Sequence, residues 1–257
     1  MQYFGGKQRI ASRLAAVLTP LAIQRGVYVE PFVGGAAVMS AVSAPVRIAS
    51  DSNVALISMW TALAAGWSPP EDISEATYAS VKAAADIHDP LTAFVGFGVS
   101  FAGKWFGGYA RGSEGRNYAA NAASSLRKKM RGLEGVQWIA GDYRSCPIFS
   151  GAVIYCDPPY AGTTQYGAVA PFSWSEFWAW CLAKHEAGNA IFVSEYAAPE
   201  TFRATLTIST KTDIRTFANG KEQRLEKLFV PRNSIYGEAR MPAMTNDIST
   251  GSQPLDV

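Results

Sequence analysis

Short apolar runs closed by turn residues recur along this chain of 257 residues. Val27 to Phe32 (VYVEPF) is a β-branched and aromatic run ending at Pro31 and Gly34-Gly35, and it predicts a buried strand. Val46 to Ser50, Val136 to Ala140, Val153 to Cys156 and Ala190 to Ser194 share that pattern. Helical spacing fills the intervals. Ile10, Leu14, Val17 and Leu18 fall on one face and predict a helix that stops at Pro20. Phe177, Trp178, Cys181 and Leu182 form a second stripe, capped by Ser173 or Ser175 and ending at Gly188. Strands alternating with helices predict an α/β fold, its sheet mostly parallel and covered on both faces. Leu206 to Ile208 and Leu225 to Val230 read as two adjacent strands joined by a turn at Asn219-Gly220, so antiparallel pairing is expected there.

Two stretches break the alternation. Residues 66–132 show no strand-helix repeat and predict an inserted, mainly helical subdomain between two parts of a core domain, 1–65 and 133–230. From Pro231 to residue 257 the chain is polar and rich in Ser, Thr, Asn and Pro, and a disordered tail is expected.

Composition narrows the chemistry. With 48% hydrophobic and 17% charged residues the chain is ordinary for a folded soluble protein. No run is long enough for a membrane span and the first residues lack a signal-peptide layout, so a cytoplasmic protein is expected. Cys146, Cys156 and Cys181 form no C-x-x-C pair, and the only histidines are His88 and His185. Metal sites and His-based triads are therefore disfavoured. The formal net charge of +2 hides an asymmetry. Between Phe101 and Gly132, seven cations (Lys104, Arg111, Arg116, Arg127, Lys128, Lys129, Arg131) face one acid, Glu114. Such clustering suggests a polyanionic partner.

In open α/β sheets, ligands bind beyond the carboxyl ends of the strands. The first strand leads into Gly34-Gly35-Ala36-Ala37, where glycine lets backbone approach a ligand. A dinucleotide fingerprint would need glycine at 36 and 39, where the chain has Ala36 and Met39. Asp51, seventeen positions after Gly34, stands where an acid grips ribose hydroxyls, and it could equally cap the helix starting near Val54. Cys156-Asp157-Pro158-Pro159-Tyr160 follows a predicted strand. Paired prolines remove two backbone donors and leave carbonyl acceptors, beside one carboxylate and one ring. That set suits a primary amine on a flat heterocycle, with Tyr160 stacking on its face.

These residues carry a family resemblance. Asp157-Pro158-Pro159-Tyr160 is similar to the DPPY signature of amino-methyltransferases, and Glu30-Pro31-Phe32-Val33-Gly34-Gly35 resembles their S-adenosylmethionine motif. The order of glycine motif, insert and DPPY resembles the Dam-type (D12 class) N6-adenine DNA methyltransferases over roughly residues 1–230. Tyr3-Phe4-Gly5-Gly6-Lys7, Asp51-Ser52-Asn53, Gly141-Asp142-Tyr143 and Arg224 to Leu228 resemble further motifs of that group. Ala36 departs from it, since the family commonly has glycine there.

The resemblance implies a Rossmann-like methyltransferase fold with an antiparallel edge and a target-recognition insert. It implies S-adenosylmethionine as cofactor, held by Tyr3, Lys7, Glu30, Phe32, Gly34, Asp51, Asp142 and Asp157. Lys7 would meet the methionine carboxylate, Asp51 the ribose and Asp142 the adenine amine. Asp157, Pro158, Pro159 and Tyr160 would orient N6 of a flipped adenine in double-stranded DNA. Lys104, Arg111, Arg116, Asn117, Lys128 and Lys129 would contact the DNA, and no obligatory protein partner is implied. Cys156, on the strand, reads as core packing rather than as a nucleophile. Alternatives are methylation of RNA adenine or of cytosine N4, and a catalytically inactive DNA-binding homologue.

Overall fold

A computed structural model describes residues 6–111, 116–159, 172–208 and 226–236. The chain forms α1 (Ala11–Arg25), β1 (Val27–Glu30), β2 (Val46–Asp51), α2 (Val54–Ala64), α3 (Glu75–Ala84), α4 (Pro90–Ala93) and α5 (Tyr118–Met130). It continues through β3 (Val136–Ala140), β4 (Val153–Cys156), α6 (Trp174–Glu186), β5 (Ala190–Glu195), β6 (Phe202–Ile208) and β7 (Glu226–Pro231). The strands make one seven-stranded sheet in the order β3-β2-β1-β4-β5-β7-β6. Pairings from β3 to β5 are parallel, whereas β7 runs antiparallel to both β5 and β6. The expected α/β class with an antiparallel edge is borne out.

Alternation along each strand sorts side chains onto two faces. Tyr28, Ala49, Val153 and Tyr155 join α1, α2 and the insert in one core. Val29, Ile48, Ile154 and Cys156 join Phe177 and Cys181 of α6 in the other. Ser173 caps α6 by accepting from the Glu176 amide. No described helix is long and apolar enough to cross a membrane.

Three sequence expectations need correction. The first helix runs through Pro20 and ends only at Gly26, whose left-handed φ of 80° lets its amide reach the Ala22 carbonyl. Proline removes one helical hydrogen bond, but Pro20 and Ala16, four residues back, are both exposed, so the orphaned carbonyl faces water. The first strand ends at Glu30, because Pro31 and Phe32 already belong to a turn. At the other end, Pro231 closes β7 and the chain stays packed to residue 236. Ser234 is buried, and Arg25 of α1 lies 4.8 Å from the centre of the Tyr236 ring. The rest of the expected tail and the turn at Asn219-Gly220 lie outside the described residues.

Between α2 and β3 the regular structure of the described residues is helical, with α3, α4, a π-helical turn at Phe94–Gly98, a 3-10 turn at Phe101–Gly103 and α5. Ser100 and Tyr109 close a short antiparallel bridge within it.

Candidate active site

The sheet reverses its strand order around β1, which lies between β2 and β4. Carboxyl ends of adjacent parallel strands diverge at such a point and open a crevice. Asp51 ends β2, Glu30 ends β1, and Asp157 follows β4. Three of the acids expected from the sequence therefore gather on neighbouring strands.

Glu30 is 2% exposed and accepts a 2.7 Å bond from the Tyr28 hydroxyl. Burial pushes its pKa up to about 8; the Tyr28 hydrogen bond and the Lys129 charge pull the other way, and the Asp157 charge reinforces the rise.

The glycine turn after β1 is pinned at several groups. Asp51 accepts from the Gly34 amide at 2.9 Å through one oxygen and from the Asn53 amide at 2.9 Å through the other. The Trp60 indole donates to the Gly34 carbonyl at 3.1 Å, and Lys129 donates to the Gly35 carbonyl. Asn53, not Asp51, caps α2, by accepting from Leu56. Ala36 is fully buried with φ 51°, a left-handed conformation that favours glycine. Burial raises the Asp51 pKa, and the two backbone bonds partly offset that.

Lys7 lies in this crevice, 6% exposed, with its ammonium 2.8 Å from Asp157 and 3.4 Å from Glu226 on β7. Burial alone would lower its pKa, but the two carboxylates outweigh burial and raise it. The resemblance implied that Lys7 meets a ligand carboxylate; in this structure its ammonium braces Asp157. Pro158 is buried and Pro159 exposed. Tyr3 and Tyr160 lie outside the described residues.

Asp142 sits where β3 ends, beside Asp51, whose carbonyl accepts from the Gly141 amide at 2.9 Å. Its carboxylate caps a 3-10 turn and binds Arg144 at 2.7 Å. Burial is the largest single influence and opposes ionisation, but the bonds and charge of Arg144 together prevail and lower the pKa. Phe32 stacks on Tyr143 at 5.3 Å and meets Phe172 and Phe177 edge-on, so it packs in the aromatic layer beneath α6. Cys156 is fully buried, and burial raises its thiol pKa well above the ordinary value, as core packing requires.

In the stretch between α2 and β3, long-range acids answer two cations of the basic cluster. Arg127 pairs with Glu71 at 2.6 Å, and Arg111 pairs with Glu75. Asn117 caps α5 and also donates to the Glu71 carbonyl at 2.9 Å. Arg116 lies over the Tyr118 ring at 5.0 Å, while Lys104 and Lys128 are exposed. Arg111, Arg116 and Asn117 line a recess of about 330 Å³ with Asp72, Glu75 and Tyr118. Lys129, expected on the DNA-facing side, is turned inward to the glycine turn. The reason is its position three residues after the fully buried Leu126, on the same helix face.

Sequence reasoning missed Glu226 and Trp60. The closing strand was legible around Glu226, but nothing local said that its carboxylate would meet Lys7. Trp60 read only as apolar. It stacks on Trp138 at 5.4 Å while its indole nitrogen serves the turn.

A mostly parallel sheet with one reversed strand, and acids at the ends of its central strands, defines a Rossmann-like methyltransferase fold. The model of the D12 class N6 adenine-specific DNA methyltransferase family matches residues 3–88, from the Gly-Gly-Lys segment through the glycine turn and Asp51 into the insert. The resemblance read from the sequence is thereby borne out over that span, which ends before Asp157-Pro158-Pro159-Tyr160. No curated protein matches the chain.

Proposed function

We propose that this protein transfers the methyl group of S-adenosylmethionine to N6 of adenine at specific sites in double-stranded DNA, with the target base turned out of the helix. The observation that carries the reading is the placement of Asp157. It leaves β4 beside β1, is held at 2.8 Å by buried Lys7, and leads directly into Pro158-Pro159.

The acceptors at the strand ends fit the cofactor's chemistry. Asp51 and Asp142 suit hydroxyls and an amine, and a mainly acidic crevice suits a cationic sulfonium while disfavouring the pyrophosphate of a dinucleotide. When bound, S-adenosylmethionine supplies an already electrophilic methyl group. What remains for the chain is to orient a weakly nucleophilic amine. The Asp157 carboxylate and the Pro158 carbonyl accept from N6–H, and Lys7 keeps that carboxylate from swinging away. Orientation of this kind supplies large effective molarities. Tyr160 offsets part of the unstacking cost by stacking on the flipped base. The buried Cys156 thiol, its pKa raised, does not serve a cysteine-dependent route to cytosine carbon.

The test is methyl transfer from labelled S-adenosylmethionine to DNA, RNA and protein in parallel. DNA should be labelled, at adenine N6. Asp157→Ala should lower kcat at least about a hundredfold, the scale of losing one preorganised polar group, with DNA affinity retained. Near-normal turnover in that variant would overturn the mechanism.

A further inference from the structure

We propose that Lys129 is a cofactor-binding residue, carried from the insert into the crevice to hold the carboxylate of the ligand's amino-acid end. This rests on the cofactor reading above.

The helix α5 buries Ala119, Ala122, Ala123 and Leu126, and Lys129 continues that face. Its neighbours Arg127 and Lys128 are exposed, whereas Lys129 is half-buried with its ammonium on the Gly35 carbonyl. An ammonium has three donors, so that bond leaves capacity for a ligand. Gly35 directly follows Gly34, whose amide is held by Asp51. Successive residues of one turn thus contact the acid suited to a ribose and a lysine suited to a carboxylate.

Charge selects the same residue. Asp142, Asp157 and Glu226 would repel an anionic group, and Glu30 and Asp51 offer it no cation. Lys7 is engaged by Asp157 and Glu226, and Arg144 by Asp142. Burial lowers the Lys129 pKa to about 8 and Glu30 raises it, so a substantial fraction is charged near neutrality.

The root of the side chain is fixed as well. Gly132 lies so close to the turn that a Cβ there would sit 2.2 Å from the Ser40 carbonyl oxygen. Arg47 donates to the Gly132 carbonyl at 2.6 Å. The end of α5 is therefore seated against the segment after β1.

Calorimetry with two ligands separates binding from mere support. S-adenosylhomocysteine carries the carboxylate; 5′-methylthioadenosine shares the thioether nucleoside but lacks the amino-acid end. Lys129→Gln should weaken S-adenosylhomocysteine about ten- to a hundredfold, the value of a charged hydrogen bond, and leave 5′-methylthioadenosine within about twofold. Lys129→Arg, which keeps the cation, should retain most of the affinity for S-adenosylhomocysteine. Equal weakening of both ligands, no weakening of either, or a Lys129→Arg variant as impaired as Lys129→Gln would overturn the assignment. A wild-type protein that binds neither ligand would instead overturn the cofactor reading beneath it.

Discussion

The crevice and the insert each hold an ion pair of similar length in very different surroundings. Lys7 meets Asp157 at 2.8 Å with 6% of the lysine side chain exposed, while Arg127 meets Glu71 at 2.6 Å with 48% of the arginine exposed. In the crevice, water cannot replace a lost partner, so the pair fixes geometry and each member depends on the other. In the insert, solvent screens the pair and it is exchangeable. On the proposed function, a DNA phosphate would compete with Glu71 for Arg127, and with Glu75 for Arg111, at little cost to the fold. The same bond type thus fixes a buried carboxylate in one region and leaves cations exchangeable in the other.

The strongest way to break this contrast is to remove one cation from each region. Lys7→Met should destabilise the protein by about 3–5 kcal/mol, because two carboxylates lose their buried counterion. Arg127→Met should cost less than about 1 kcal/mol. Urea unfolding measures both, and equal losses would abolish the distinction.

A subtler test uses pH. The raised pKa of Glu30, about 8, means that the folded state holds this proton more tightly than the unfolded state. Its contribution is therefore greatest below the ordinary carboxylate range and is lost as pH rises toward 8. Glu30→Gln should remove up to about 1.4 kcal/mol per pH unit from that decline. Stability curves of wild type and variant that run parallel from pH 5 to pH 8 would place Glu30 in a wetter setting.

The smallest effect belongs to the insert. Lys128→Gln should make the slope of log K against log salt shallower by about 0.9, one neutralised phosphate. Arg127→Gln should change it less, since Glu71 competes for that guanidinium. Anisotropy titrations over a salt series distinguish the two, and an unchanged slope in both would place the DNA elsewhere.

What could be read in the sequence follows the same division. Asp51, Glu30 and Asp157 were legible because each ends a short apolar run whose strand character is local. The reversed pairing of β6 and β7 was legible for the same reason. The passage of α1 through Pro20 was not, since it depends on which face of the helix meets water. Nor were the acids opposite Arg111 and Arg127, which lie 36 and 56 residues away. Counting charge over residues 101–132 alone exaggerated the basic surface. Lys129 could have been separated from its neighbours by its spacing from Leu126, a periodic signal outweighed by the run of like charges.

The position of β7 has a consequence for the order in which the molecule can be made. Strand β6 precedes β7 in the chain, yet β7 lies between it and β5. As the polypeptide leaves the ribosome, β1 to β5 can pair among themselves while β6 has no neighbour to join. When β7 enters, it completes the sheet and delivers Glu226 to Lys7, which was synthesised long before it. Assembly of the crevice therefore waits for residues more than two hundred positions apart to meet. Truncation before β7 would strand β6 and leave Lys7 short of one counterion, and such a fragment would expose an open sheet edge prone to aggregation.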